Sequence, residues 1–246
     1  AGYVEKLLPV FKNADARIML LSFAARETTH MLGYKRLNDT LGYDSQEFMS
    51  EFLQYREMKD KHDFMIEATD LRSNKGKAEY LAKQILMEGV NLFGSFAMLL
   101  DHSRSNQLPG MVSVNQWSII EESFHVEGLS ELLRIFVEEN PSVVTEDLKR
   151  TVYDFARKVV QLEDDFIDLC YSVHVPKKLD KQGLKDYIRL ICDYRMQQMG
   201  FKAQFGITKN PLPWIEEITG DGILGNFFET TITAYSKDSL VGEWEY

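Results

Sequence analysis

The chain has 246 residues, 44% of them hydrophobic and 27% charged, with a formal net charge of -10. That is enough length for one sizeable core, and the acidic balance argues against sequence-independent nucleic-acid binding, which needs a basic surface. The most apolar run, 18–25, is too short to cross a membrane and is flanked by Arg17 and Arg26. Cys170 and Cys192 lie far apart without metal-knuckle or disulfide-framework spacing, which fits a reducing cytoplasm.

In chain order, the apolar spacing predicts long helices over 12–41, 45–71, 76–104, 110–139, 145–174 and 181–200. Breaks fall at Gly42, Ser73-Asn74-Lys75-Gly76, Pro109-Gly110, Asn140-Pro141 and Pro176-Lys177-Lys178. Thr145 is the expected cap of the fifth helix, with Glu146 and Asp147 well placed for its dipole. A weak alternation over 227–235 is the nearest approach to a strand. From 207 onward, Asn210-Pro211-Leu212-Pro213-Trp214 and then Gly220, Gly222 and Gly225 read as an extended arm. The expected division is therefore a helical bundle over 1–206 and an arm over 207–246.

The first helix carries Glu27-Thr28-Thr29-His30 and the fourth Glu122-Ser123-Phe124-His125, both Glu-x-x-His. Residues i and i+3 share a helix face, so each pair aims a carboxylate and an imidazole at one spot. Carboxylate oxygen with imidazole suits iron or manganese in an open, redox-capable site. With five histidines in the chain, roughly 0.4 such matches are expected by chance, so one says little; two on long helices carry more weight. Glu88 adds a third carboxylate on an otherwise apolar face, Met87 to Phe96, where a lone charge is costly unless a metal satisfies it. A single carboxylate on each of two helices plus a Glu-x-x-His on each of two others is the ligand plan of ferritin-like di-metal bundles. Tyr34 continues the Glu27, His30 stripe at i+7, one turn beyond a candidate ligand. Leu92 and Phe96 extend the Glu88 stripe and could give that phenol a dry wall, although a tyrosine on such a stripe is also an ordinary core residue.

These residues together resemble the small subunit of class I ribonucleotide reductase, over essentially the whole chain. Gly2-Tyr3-Val4-Glu5-Lys6 with Pro9-Val10-Phe11 resembles the family's lead-in to its first Glu-x-x-His. Glu88 with Ser95-Phe96-Ala97 resembles the next ligand helix, and Tyr187-Ile188-Arg189, Arg195, Gln198 and Gly200-Phe201 the late helix. Asn210-Pro211 with Pro213-Trp214 resembles the turn after it.

The resemblance implies an all-α, ferritin-like di-metal carboxylate bundle with an extended C-terminal tail. Glu27, His30, Glu88, Glu122 and His125 would be metal ligands and Tyr34 the radical site. The metals would be two iron ions, two manganese ions or a mixed pair, oxidised by dioxygen or a reduced oxygen species. The partner would be a large subunit, in a cytoplasmic homodimer without nucleic acid or membrane. Tyr235 falls where the family has a tail tyrosine that relays the radical, and the acidic, aromatic Glu243-Trp244-Glu245-Tyr246 fits a docking tail. Glu121 stands where the family commonly has Asp beside the ligand Glu, and would link the metal-bound histidine outward. Ser118 is more polar than the wall residue often found there. The family's sixth ligand, usually Asp, would fall just before Ala1, so the chain reads as a fragment. Asp15 cannot replace it, lying more than three turns from Glu27. A di-metal oxidase or hydroxylase of the same fold, acting directly on an organic substrate, is the alternative; a ferritin-like metal store and a purely structural bundle are further rivals.

Overall fold

The computed structural model describes residues 2–43, 50 and 54–220. Tyr235, the 227–235 alternation and the terminal Glu243–Tyr246 segment lie outside them. A short π-helical turn, Tyr3–Leu7, leads into α1, Ala14–Leu41. Asn13 starts α1 by accepting hydrogen bonds from the backbone of Asp15 and Ala16, and Gly42, at φ 79°, ends it. Then come α2 (Arg56–Ile66), α3 (Asn74–Gly89), α4 (Phe93–Leu100), α5 (Pro109–Glu139), α6 (Glu146–Val173), α7 (Lys181–Gln198) and α8 (Trp214–Thr219). Thr145 caps α6 as the sequence predicts, its hydroxyl accepting from Leu148 N at 3.1 Å.

No strand occurs among the described residues. The long helices α3, α5, α6 and α7 pack on one another, and α1 lies along α5. Their shared core includes Leu81, Ile85, Leu86, Phe93, Ile119, Leu129, Val159, Ile167, Tyr187 and Ile191, all nearly inaccessible to solvent.

Two predicted helices are corrected. The second does not reach residue 71: α2 ends at Ile66, and Asp70 bends the chain by accepting from the Arg72 backbone at 3.1 Å. The third is not continuous over 76–104. It stops at Gly89, turns through 90–92 and restarts at Phe93. Two distant residues hold that interruption. Arg195 lies wholly buried against Gly89, its Nε 3.4 Å from the Gly89 carbonyl oxygen. Glu163, also fully buried, accepts from Gly94 N at 3.0 Å and pairs with Lys61. Beyond residue 206 the described chain stays packed: Leu212 and Ile215 are buried, and Gln116 Nε2 donates to Ile218 O at 3.0 Å. Thr219, near the end of the described residues, is buried as well.

Candidate metal centre

Helices α1 and α5 run antiparallel, since Phe23 meets Gly128, Arg26 meets Glu121 and Tyr34 meets Asn115. Gly128 allows the close approach: a Cβ there would lie 2.6 Å from Phe23 Cζ. With i and i+3 on one face of each helix, this packing turns both Glu-x-x-His pairs inward toward each other. Their imidazole centroids are 6.2 Å apart.

The carboxylates fill the space between the rings. His30 Nδ1 lies 3.2 Å from Glu122 Oε1 and 3.9 Å from Glu27 Oε2. His125 Nδ1 lies 3.1 Å from Glu27 Oε1, 3.2 Å from Glu122 Oε2 and 3.6 Å from Glu88 Oε2. Two ligand groups result, Glu27–His30–Glu122 and Glu88–Glu122–His125, each with donor atoms within 4.8 Å of one another. Glu122 belongs to both. All five predicted ligands therefore converge. His30 turns its other nitrogen outward, Nε2 lying 2.8 Å from Glu121 Oε2, and Arg26 Nη1 donates to the second Glu121 oxygen at 3.0 Å. Glu121 thus lies between His30 and Arg26, an arrangement that orients the ring and leaves Nδ1 facing the other carboxylates.

Burial and charge act together here. Burial raises the Glu88 carboxyl to about 7. Burial opposes charge on His125, but the Glu122, Glu27 and Glu88 carboxylates outweigh it and raise the imidazole to about 11. Burial also opposes ionisation of Glu122, yet the two imidazoles hold it below the usual carboxylate range. In the metal-free protein, protons offset the carboxylate charge. For stability the signs run alike: the neutral Glu88 and the charged His125 favour folding at low pH. The Glu88 contribution fades as pH rises through about 7, and that of His125 as pH rises through about 11.

The donor set fits two divalent ions. It combines hard oxygens with imidazole nitrogens, holds a carboxylate common to both groups, and leaves the buried Glu27 Oε1 without a well-aligned hydrogen bond. Metal uptake must then displace protons. More protons per ion are expected to be released near pH 6 than near pH 8, because Glu88 is still protonated below about 7. Titration calorimetry in buffers of different ionisation enthalpy reads this count; a pH-independent count would contradict the arrangement.

Tyr34 stands one turn beyond His30, its phenol donating to Asn115 Oδ1 at 3.0 Å and its acidity weakened chiefly by burial. It borders a cavity of about 740 Å³ shared with Leu92, Phe96, Leu99, Ser118 and the ligand side chains. Leu92 and Phe96 do line the same space as Tyr34, but through the 90–92 turn and not by a continuous stripe. A second cavity, of about 500 Å³, lies beside Tyr3, Glu67 and Glu88 and shares Glu27, Leu92 and Glu122 with the first. Asp15, on the exposed first turn of α1, is remote from the cluster.

Sequence reasoning missed two residues. Tyr3 is buried, donates its phenol to Glu88 Oε2 and packs edge-on against His125 at 5.8 Å. Burial, reinforced by Glu88, holds its phenol far above the ordinary range. Nothing in local spacing ties residue 3 to residue 88. Asn115 was accessible: with Ser118 and Glu122 it forms an i, i+3, i+7 stripe on α5, the counterpart of Glu27, His30 and Tyr34 on α1.

An all-helical body with two facing Glu-x-x-His pairs and a third carboxylate has the ligand plan of the ferritin-like di-metal carboxylate bundles. Comparison with known proteins narrows this. The family described as ribonucleotide reductase, small chain, matches residues 1–211. The chain is 38% identical to a protein assigned as ribonucleoside-diphosphate reductase small subunit in Invertebrate iridescent virus 3, over all of this chain and 69% of that one. It is 28% identical to the ribonucleoside-diphosphate reductase subunit beta of Chlamydia pneumoniae, over 93% of this chain and 70% of that one. A crystal structure from Bacillus halodurans, assigned to class I ribonucleotide reductase, has the same fold, with TM-score 0.80 at 19% identity over 88% of this chain and 79% of that one. The chain belongs to the ribonucleotide reductase small-chain family.

Proposed function

We propose that this chain acts as the radical-generating small subunit of a ribonucleoside-diphosphate reductase, with Glu27, His30, Glu88, Glu122 and His125 holding two metal ions and Tyr34 as the radical site. The observation that carries this reading is the placing of Tyr34 on a cavity that Glu27, His30 and Glu122 also line. The ions, iron, manganese or one of each, supply one-electron oxidising power after reaction with dioxygen or a reduced oxygen species. The chain's own residues do the rest. The imidazoles and carboxylates would hold the ions, Glu121 and Arg26 orient His30, and Leu92, Phe96 and Leu99 give the Tyr34 cavity an apolar lining.

The working partner in this reading is a large subunit, reached through the acidic, aromatic tail and Tyr235, in the cytoplasm and without nucleic acid or membrane. No helix among the described residues is long and apolar enough to cross a membrane. A homodimer is supported by an apolar surface on the ligand helices. Ile18, Leu21 and Leu32 form one exposed stripe on α1. Trp117, 73% exposed, and Phe124, 56% exposed, lie a turn either side of Glu121 on α5. Apolar area of this kind on paired helices fits a second copy.

The 740 Å³ cavity beside the ligands also suits an oxidase or hydroxylase that takes an organic substrate directly. Electron paramagnetic resonance separates the two. Full-length protein loaded with ferrous ion or manganese and exposed to oxidant is expected to give a tyrosyl signal. Tyr34→Phe is expected to abolish it with metal content unchanged and stability lowered by only about 1 kcal/mol, the worth of one hydrogen bond. A loaded cluster giving no radical under either metal would favour the oxidase.

A further inference from the structure

The surroundings of Tyr34 are not wholly apolar. Asn115 is completely buried and its amide has no freedom to turn: Nδ2 donates to Met111 O at 2.8 Å, leaving Oδ1 to accept from the Tyr34 phenol at 3.0 Å. Ser118, 2% exposed and one turn along α5, lines the same cavity. Ser118 and Tyr34 border that cavity together, and the serine hydroxyl favours the deprotonated form of the phenol. A buried primary amide and a buried hydroxyl converging on one phenol would be costly in a pocket whose only task was to stay dry.

We propose that Asn115 and Ser118 are positioning residues that keep Tyr34 hydrogen-bonded in both oxidation states, the Asn115 carbonyl accepting from the phenol and the Ser118 hydroxyl donating to the phenoxyl oxygen. This rests on the assignment of Tyr34 as the radical site. When Tyr34 is oxidised its O–H bond breaks. The electron would go to the oxidised metal pair that the Glu and His side chains of the cluster would hold, and the proton to Glu27 or Glu122, the cluster carboxylates that share the Tyr34 cavity. The phenoxyl oxygen then has no hydrogen to offer Asn115, whose Oδ1 is held facing it by the Met111 bond. A donor is required in its place, and Ser118 can rotate its hydroxyl to provide one. The pair thus gives the reduced and the oxidised side chain one satisfied partner each without backbone movement.

High-field electron paramagnetic resonance and deuterium double resonance on metal-loaded, full-length protein exchanged into heavy water test this. The expected result is a phenoxyl signal whose low-field g component is depressed by a donor and which carries an exchangeable deuteron coupling. Ser118→Ala should remove the coupling and raise that g component, with metal content unchanged. Asn115→Leu should leave the radical's coupling in place while shifting the phenol C–O band of the reduced state in radical-minus-reduced infrared difference spectra. Because the wild-type measurement needs no variant, a poorly folding substitution does not blunt the test. A Tyr34 radical with no exchangeable coupling, and with a g component unmoved in Ser118→Ala, would overturn the proposal and leave the radical assignment intact. A signal that persists in Tyr34→Phe would overturn the assignment and the proposal with it.

Discussion

Glu122→Ala is expected to empty both metal positions, whereas Glu88→Ala should cost chiefly one. Glu122 turns Oε1 toward His30 and Oε2 toward His125, at 3.2 Å in each case, and belongs to both ligand groups; Glu88 belongs to one. A shared carboxylate offsets charge for two cations at once, so its loss removes a donor from each ion and raises their mutual repulsion. Metal content after loading and desalting, read by mass spectrometry, should fall from about two ions per chain to near none in Glu122→Ala and to about one in Glu88→Ala. The metal-free protein should suffer less. Breaking a buried pair typically costs about 3–5 kcal/mol, but Glu27 and Glu88 still face His125, so the lower end is expected in urea denaturation of the stripped protein. Retention of one tightly held ion by Glu122→Ala would refute a shared ligand.

Much of this centre could be read from the sequence because its main parts are local. Each Glu-x-x-His pair lies within one turn, so helix geometry alone brings its two side chains together. Tyr34, two turns from Glu27, follows by the same rule. Glu121 was placed by resemblance, and the structure puts it at His30 Nε2. What escaped is non-local. The interruption after Glu88 looks like continuous helix in the sequence, because Val90 to Leu100 is apolar and free of proline. The residues that impose it, Arg195 and Glu163, lie 106 and 69 positions from the glycines they contact. Tyr3 reaches Glu88 across 85 positions. The early end of α2 differs in kind. Asp70 and Arg72 form a local turn that the residue types themselves could have indicated.

The same interruption carries the second large effect. Gly94→Ala is expected to destabilise the protein by about 3 kcal/mol or more. A Cβ at residue 94 would stand 2.4 Å from Glu163 Oε2 and 3.5 Å from Ile167 Cγ1. Glu163 is not a free side chain that can swing aside. It is fully buried, paired with Lys61 and bonded to the very backbone N–H of Gly94. Burial pushes its carboxyl upward while Lys61 and the Gly94 amide pull the other way, so displacing it leaves a buried acid short of partners. The turn that ends α3 next to Glu88 and starts α4 next to Leu92 would shift with it. Metal affinity at the Glu88 position should therefore fall by about tenfold, the usual scale for losing an outer support of a ligand. Gly110→Ala is the matched control, since a Cβ there meets nothing within 4 Å. As a helix position open to alanine, it should be neutral or stabilising by about 0.5 kcal/mol. Urea midpoints of the two variants, with ferrous titrations alongside, decide the matter. An unchanged midpoint in Gly94→Ala would mean that Glu163 is free to move, and that the interruption after Glu88 is held by Arg195 alone.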